Sequence, residues 1–218
     1  MLVVLDEAYH EYASATRYPD SIKYLRDDKN IIIFRTFSKI YGLAGLRLGY
    51  AMARPDYISQ MDKIREPFAA NRVVQAGALE ALADSEFICQ VRDVCQKGKK
   101  VLCDGLKKLG IFYVPTEANF IFADLGVDMK YLFPELLKRG VIIRPGSFWG
   151  YHTYARITIG TPDENRFFLK RLKLPWNFFS IHNLTLNTMT ARNHQSDNTY
   201  IYLCKTKGQP DKSGWPFI

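Results

Sequence analysis

The 218-residue sequence is poor in the features that mark membrane, secreted or metal-binding chains. No apolar run approaches the ~20 residues that span a bilayer. No basic region followed by a long apolar stretch opens the chain, so a secretory leader is not expected. Cysteine is scarce, and Cys89, Cys95, Cys103 and Cys204 show neither zinc nor disulfide spacing. The first three fall in one predicted helix and are expected to be small core residues in a reducing compartment. His10, His152, His182 and His194 lack metal-ligand spacing, so no metal is expected. Neither a Gly-x-Gly-x-x-Gly turn nor a P-loop lysine is present, and no internal repeat is found. Acidic residues are outnumbered, giving a net charge of +8. The basic residues are scattered over several predicted helices (Lys97, Lys99, Lys100, Lys107, Lys108, Lys138, Arg139, Lys170, Arg171 and Lys173). That pattern suits solvated helix faces better than a nucleic-acid groove.

What is present is a core and a pattern. Hydrophobic residues make up 47% of the chain, enough for one large domain or two small ones. Leu2–Leu5 and Ile31–Phe34 are continuous apolar runs, which predict strands buried on both faces of a parallel sheet covered by helices. A short helical stretch through Ile22, Leu25 and Arg26 fits the crossover between them. Arg47–Ala53 reads as a third strand. Helices are predicted over Pro55–Arg65 and Asn71–Ala83, then over Ser85–Leu109 with Ser85 as cap and Gly110 as stop. Short strands follow at Phe112–Val114, Ala118–Ala123, Val141–Arg144 and Ala155–Ile159, with helices at Met129–Arg139 and Asp163–Lys173. The fold class is therefore α/β, a mostly parallel sheet followed by a small α+β unit. The expected division is 1–84, 85–173 with its long linking helix, and a poorly ordered, Asn- and Thr-rich tail at 174–218.

The chemistry concentrates in Thr36 to Tyr50. There a lysine follows an apolar strand and stands beside a hydroxyl, glycines and an arginine. A lysine that forms an imine with an aldehyde cofactor needs such surroundings. Ser38 and Arg47 can hold a phosphate, and Gly42 and Gly45 allow backbone to come close to it. Asp6 and Lys39 both follow strands of one parallel sheet, and ligands of such sheets bind beyond the carboxyl ends.

Asp6-Glu7-Ala8-Tyr9, followed by Phe37-Ser38-Lys39-Ile40-Tyr41-Gly42-Leu43-Ala44-Gly45-Leu46-Arg47, resembles the core of the fold type I pyridoxal-phosphate aminotransferases. Within that group the wording is most similar to the histidinol-phosphate aminotransferases of histidine biosynthesis, and the resemblance covers residues 2 to about 173. It implies that the cofactor is pyridoxal 5'-phosphate. Lys39 would anchor it and move a proton, Asp6 would pair with the ring nitrogen, and Tyr9 would reach the ring hydroxyl. Ser38 and Arg47 would hold the phosphate. Asn119, Arg144 and Arg156 match positions near the substrate, with Arg156 binding its anionic end and Arg144 assisting. An arginine within the apolar strand Ala155–Ile159 is costly unless an anion meets it, which supports that role. Glu7 is expected to be structural.

The resemblance further implies small-molecule substrates (an amino donor and a 2-oxo acid), a cytoplasmic homodimer, and no nucleic-acid or membrane partner. Aromatic aminotransferases and threonine-phosphate decarboxylase share the fold and remain alternatives, as does an inactive fragment. Residues that family members carry before the Asp-Glu-Ala-Tyr strand are not recognisable here, and 174–218 does not resemble the family. The expectation is a fragment with uncovered apolar faces and strand edges.

Overall fold

The computed structural model of the chain describes residues 1–14 and 18–173. The predicted tail at 174–218, with Cys204, lies outside the described residues. Two sheets organise the molecule. The first has the order β1-β2-β3, built from β1 (Val3–Asp6), β2 (Ile31–Thr36) and β3 (Gly49–Ala53). β1 and β2 run parallel, with Val3 opposite Ile31 and Asp6 opposite Phe34, while β3 returns antiparallel to β2. The crossover helix α1 (Ser21–Arg26) is capped by Asp20, whose Oδ1 accepts the Ile22 N–H at 3.1 Å.

Two expectations change here. Ile31, Ile32 and Ile33 are buried as expected, but Val3 and Val4 are exposed. β1 is an edge strand, with β2 its one neighbour among the described residues. β3 also begins at Gly49 rather than Arg47, because Arg47 is left-handed (φ 52°, ψ 45°) and turns the chain before pairing starts.

Helices α2 (Pro55–Asp62) and α3 (Arg72–Ala83) follow. α2 ends earlier than expected, ahead of Glu66-Pro67, where the residue before a proline disfavours helix. Asn71 caps α3 by accepting the Val74 N–H at 3.0 Å. The long α4 (Ser85–Lys108) is capped by Asp84 rather than Ser85. The Asp84 carboxylate accepts the Phe87 N–H at 2.9 Å, and Ser85 becomes the first helical residue. Gly110, at φ +70°, supplies the left-handed stop.

The second sheet is wholly antiparallel, in the order β4-β5-β7-β6. Its strands are β4 (Phe112–Val114), β5 (Phe120–Asp124), β6 (Arg144–Pro145) and β7 (Tyr154–Thr158). One face packs on α4, α5 (Met129–Lys138) and α6 (162–173). Leu102 and Leu106 from α4, Ile121 and Ala123 from β5, Leu132 and Leu136 from α5, Ala155 from β7 and Leu172 from α6 are all fully buried there. The strand expected at Val141–Arg144 contracts to Arg144–Pro145. Val141 and Ile143 still enter the core, although they lie outside the ladder.

α4 approaches α6 closely. A Cβ at Gly98 would lie 2.7 Å from Asn165 Nδ2, and one at Gly105 would lie 2.5 Å from Leu169 Cδ1. Asn165 is buried and closes the turn before α6, accepting the Gly160 N–H at 3.0 Å and donating to the Gly160 carbonyl at 2.9 Å. Of the helix cysteines, Cys95 is buried and Cys103 half-buried, but Cys89 is exposed rather than in the core. At about 100° per residue it sits roughly 120° around α4 from Cys95. Lys97 and Lys100 pair with Asp93 and Asp104 one turn away on exposed helix surface.

Candidate active site

β2 delivers the lysine. Beyond Thr36, Phe37 and Ile40 are buried, which leaves Ser38 and Lys39 between them turned outward and only half-buried. Thr36 Oγ1 accepts the Ser38 N–H at 3.0 Å, and the Phe37 N–H donates to the Leu48 carbonyl at 3.0 Å. The Gly42 N–H donates to the Lys39 carbonyl at 3.0 Å, and the Leu43 N–H to the Phe37 carbonyl at 3.0 Å. These bonds tie the segment into a tight loop. Gly42 has φ +69°, so the turn itself demands glycine. Gly45 has open space around its Cα and no positive φ, so nothing within the described residues requires glycine there.

The loop ends at Arg47, which folds back over it. Arg47 Nη1 donates to the Ala44 carbonyl at 2.9 Å and stands 3.3 Å from Ser38 Oγ. A guanidinium and a hydroxyl thus converge at an exposed corner. This donor set fits a phosphate, with planar N–H edges beside an O–H.

The parallel register places Asp6 at the same sheet edge as the end of β2. Asp6 is exposed, and its Oδ1 accepts the Ala8 N–H at 3.1 Å, turning the chain into the short 3-10 helix His10–Tyr12. That turn brings Tyr9 to the lysine, with Lys39 Nζ over the Tyr9 ring at 5.4 Å from its centroid. Glu7 between them points inward and is buried. Its Oε2 accepts Arg35 Nε at 2.9 Å and pairs with Arg35 Nη2 at 2.9 Å, while its Oε1 accepts the Tyr18 hydroxyl at 3.0 Å. Burial works against charge on Arg35, but Glu7 and Tyr50 outweigh it and hold the guanidinium above its ordinary pKa. Burial and the Glu7 carboxylate push Tyr18 up to about 12.

The second sheet supplies the arginines. Along β7, Ala155 and Ile157 face the core, so Arg156 faces the other way, half-buried. The register sets Arg144 of β6 directly opposite Arg156. Like charges so placed repel, and an anion between them relieves the repulsion. Arg156 Nε is buried without a hydrogen-bond partner among the described residues. Asn119 lines a cavity of about 430 Å³ with Tyr12, Cys95 and Ile159. Burial pushes the Tyr12 phenol up to about 12, with Cys95 adding to the effect.

The structure thus brings together Asp6, Tyr9 and Lys39 at one sheet edge, Ser38 and Arg47 at one corner, and Arg144 with Arg156 on one strand pair. Phe120 joins the first group to the last. Its ring meets Tyr9 edge-on at 5.4 Å, and Arg156 lies over it with the guanidinium carbon 5.4 Å from the centroid. Sequence reasoning passed over this residue, although period-two alternation from Ile121 places it on the face that carries Arg156. It also passed over Thr36, whose hydroxyl orients Ser38 and which its place two residues ahead could have flagged.

Among the described residues, no helix is long and apolar enough to cross a membrane, and no cluster of three or more His, Cys, Asp or Glu is placed to hold a metal. The family model for aminotransferase class I and II matches residues 1–172. A histidinol-phosphate aminotransferase of Moorella thermoacetica is 48% identical over 174 residues, covering 79% of this chain and 45% of the relative. Another, from Brevibacillus brevis, is 44% identical over 173 residues, covering 79% and 48%. The chain therefore spans about half the length of these curated relatives. Among solved structures, the histidinol-phosphate aminotransferase of Sinorhizobium meliloti in complex with pyridoxal-5'-phosphate superposes with a TM-score of 0.74. It is 31% identical, with 82% of this chain and 50% of that one covered.

Proposed function

Because the chain belongs to the class I and II aminotransferases, we propose that it carries the lysine-bearing part of a pyridoxal-phosphate transaminase site. The observation that carries this reading is Lys39 held over Tyr9 at the sheet edge it shares with Asp6. Bound pyridoxal phosphate would supply an electron sink for charge developing on the substrate carbon. Every other role belongs to the chain's own residues. Ser38 Oγ and the Arg47 guanidinium hold the phosphate. The Asp6 carboxylate would keep the ring nitrogen protonated, and the Tyr9 hydroxyl would contact the ring oxygen. Lys39 Nζ anchors the group, then takes and returns the proton at the substrate carbon. Arg156, aided by Arg144, binds the substrate's anionic end.

The substrates proposed are L-glutamate as one amino compound and L-histidinol phosphate as the other, with 2-oxoglutarate and imidazole-acetol phosphate as their oxo partners. The likeness to histidinol-phosphate aminotransferases supports histidinol phosphate, and the resemblance of the site residues implies glutamate as its counterpart. On this reading residues 1–84 are part of a large cofactor-binding domain and 85–173 a smaller one. The enzyme works in the cytoplasm as a homodimer.

The test is spectroscopic. Pyridoxal phosphate added to the purified chain should produce a visible absorption band that borohydride fixes on Lys39, and Lys39→Ala should lose it. The same band surviving in Lys39→Ala would sink the assignment. Histidinol phosphate should bleach the band at lower concentration than phenylalanine or threonine phosphate; the reverse order would transfer the chain to one of the alternative activities of this fold.

A further inference from the structure

Phe120 is the one side chain seen to touch both ends of the proposed site among the described residues. Along β5, Ile121 and Ala123 are fully buried in the core, which turns Phe120 and Phe122 to the opposite face. Phe120 pairs with Thr158 across the ladder, so Arg156 is its diagonal neighbour and within reach of an aromatic ring. The Arg156 guanidinium lies over the Phe120 ring, and Arg156 Nε has no hydrogen-bond partner among the described residues. A stacked guanidinium is supported through its face while its N–H edges stay free for an anion. A polar side chain at 120 would occupy those edges, and an aliphatic one would fill the space without attracting the cation.

The same ring meets Tyr9 at a 74° interplanar angle with centroids 5.4 Å apart, and the Tyr9 face carries Lys39 Nζ. One ring therefore spans from the amine to the anion site. Its strand is pinned from behind by the buried Ile121 and Ala123, so it cannot slide to suit a ligand. We propose that Phe120 is a positioning residue that fixes the separation between Arg156 and the Lys39–Tyr9 pair, and so sets the length of dicarboxylate or phosphate-bearing amine the site accepts. This rests on the functional reading given above.

The test uses the full chain with pyridoxal phosphate, borohydride fixation and mass-spectrometric mapping of the label, with glutarate and succinate as unreactive anions of two lengths. In the wild type, label should concentrate on Lys39, and glutarate should change its extent at lower concentration than succinate. Phe120→Leu should raise the glutarate half-effect concentration about threefold, the size of an exposed cation–π contact, and should erase the difference between the two anions. Phe120→Tyr keeps the ring and should restore both. Phe120→Met replaces the Leu variant if circular dichroism shows that one unfolded. A folded Leu or Met variant with wild-type half-effect and length preference would overturn the proposal while leaving the functional reading intact. Label spread evenly over the lysines of the wild type, or an unchanged glutarate effect in Arg156→Lys, would bring down the functional reading and this proposal with it.

Discussion

Glu7 stands in sequence between two residues of the proposed site yet faces the opposite way, into the protein. Its buried carboxylate answers Arg35 and Tyr18 together, and this fixes the backbone from which Asp6 and Tyr9 project. Glu7→Ala should cost about 3–5 kcal/mol in urea unfolding, because Arg35 and the Tyr18 hydroxyl lose their partner. The paired change Glu7→Leu with Arg35→Met should recover most of that loss. A Glu7→Ala cost below about 1 kcal/mol would show that the ion pair does not hold this turn. Residues of the site differ in how readable they are. Ser38, Lys39 and Arg47 follow one apolar strand and could be read from their surroundings, whereas the roles of Asp6 and Tyr9 came from the resemblance of Asp6-Glu7-Ala8-Tyr9 to the aminotransferases. Arg144 and Arg156 could be named singly, but their face-to-face register is a long-range pairing that no local pattern encodes. Phe120 was hidden for the plainest reason: a phenylalanine in a strand reads as packing.

At the scale of elements, α4 sets how the second half is assembled. Gly98 and Gly105 are two turns apart on the side of α4 that meets Asn165 and Leu169. Gly98→Ala would push a methyl group to within 2.7 Å of Asn165 Nδ2 and Ile159 Cγ2. Although alanine favours helix, the variant should lose about 1–3 kcal/mol through overpacking, read from the urea midpoint. A stabilised Gly98→Ala protein would mean that α4 and α6 can separate freely. The element types were legible from period and caps, and α3 and α4 lie close to their predicted spans. Two boundaries moved for local reasons: the Asp84 carboxylate took the cap from Ser85, and the left-handed Arg47 delayed β3. In α4 the apolar spacing overstated burial, since Phe87, Val94 and Val101 remain exposed. A helix shared between two packing units presents different faces to each.

At the scale of the molecule, the first sheet has three strands among the described residues, with Leu2, Val3 and Val4 exposed at and beside its β1 edge. Exposed apolar edge strands promote association. Val4→Lys should therefore reduce both anilinonaphthalene-sulfonate fluorescence and self-association in sedimentation, while unfolding stability stays within about 0.5 kcal/mol. Unchanged dye binding would place the sticky surface elsewhere, with Phe68 and Ile64 the next exposed candidates. The small antiparallel sheet was legible only as a set of short strands; its order β4-β5-β7-β6 depends on pairings between distant segments.

Arg47 holds a left-handed backbone that suits glycine, at φ 52° and ψ 45°. For an ordinary residue that geometry costs on the order of 1–2 kcal/mol. Selection for thermal stability alone would thus favour Arg47→Gly, a protein that melts later and has lost its cation at the loop corner. The arginine marks a place where durability and ligand capture pull in opposite directions.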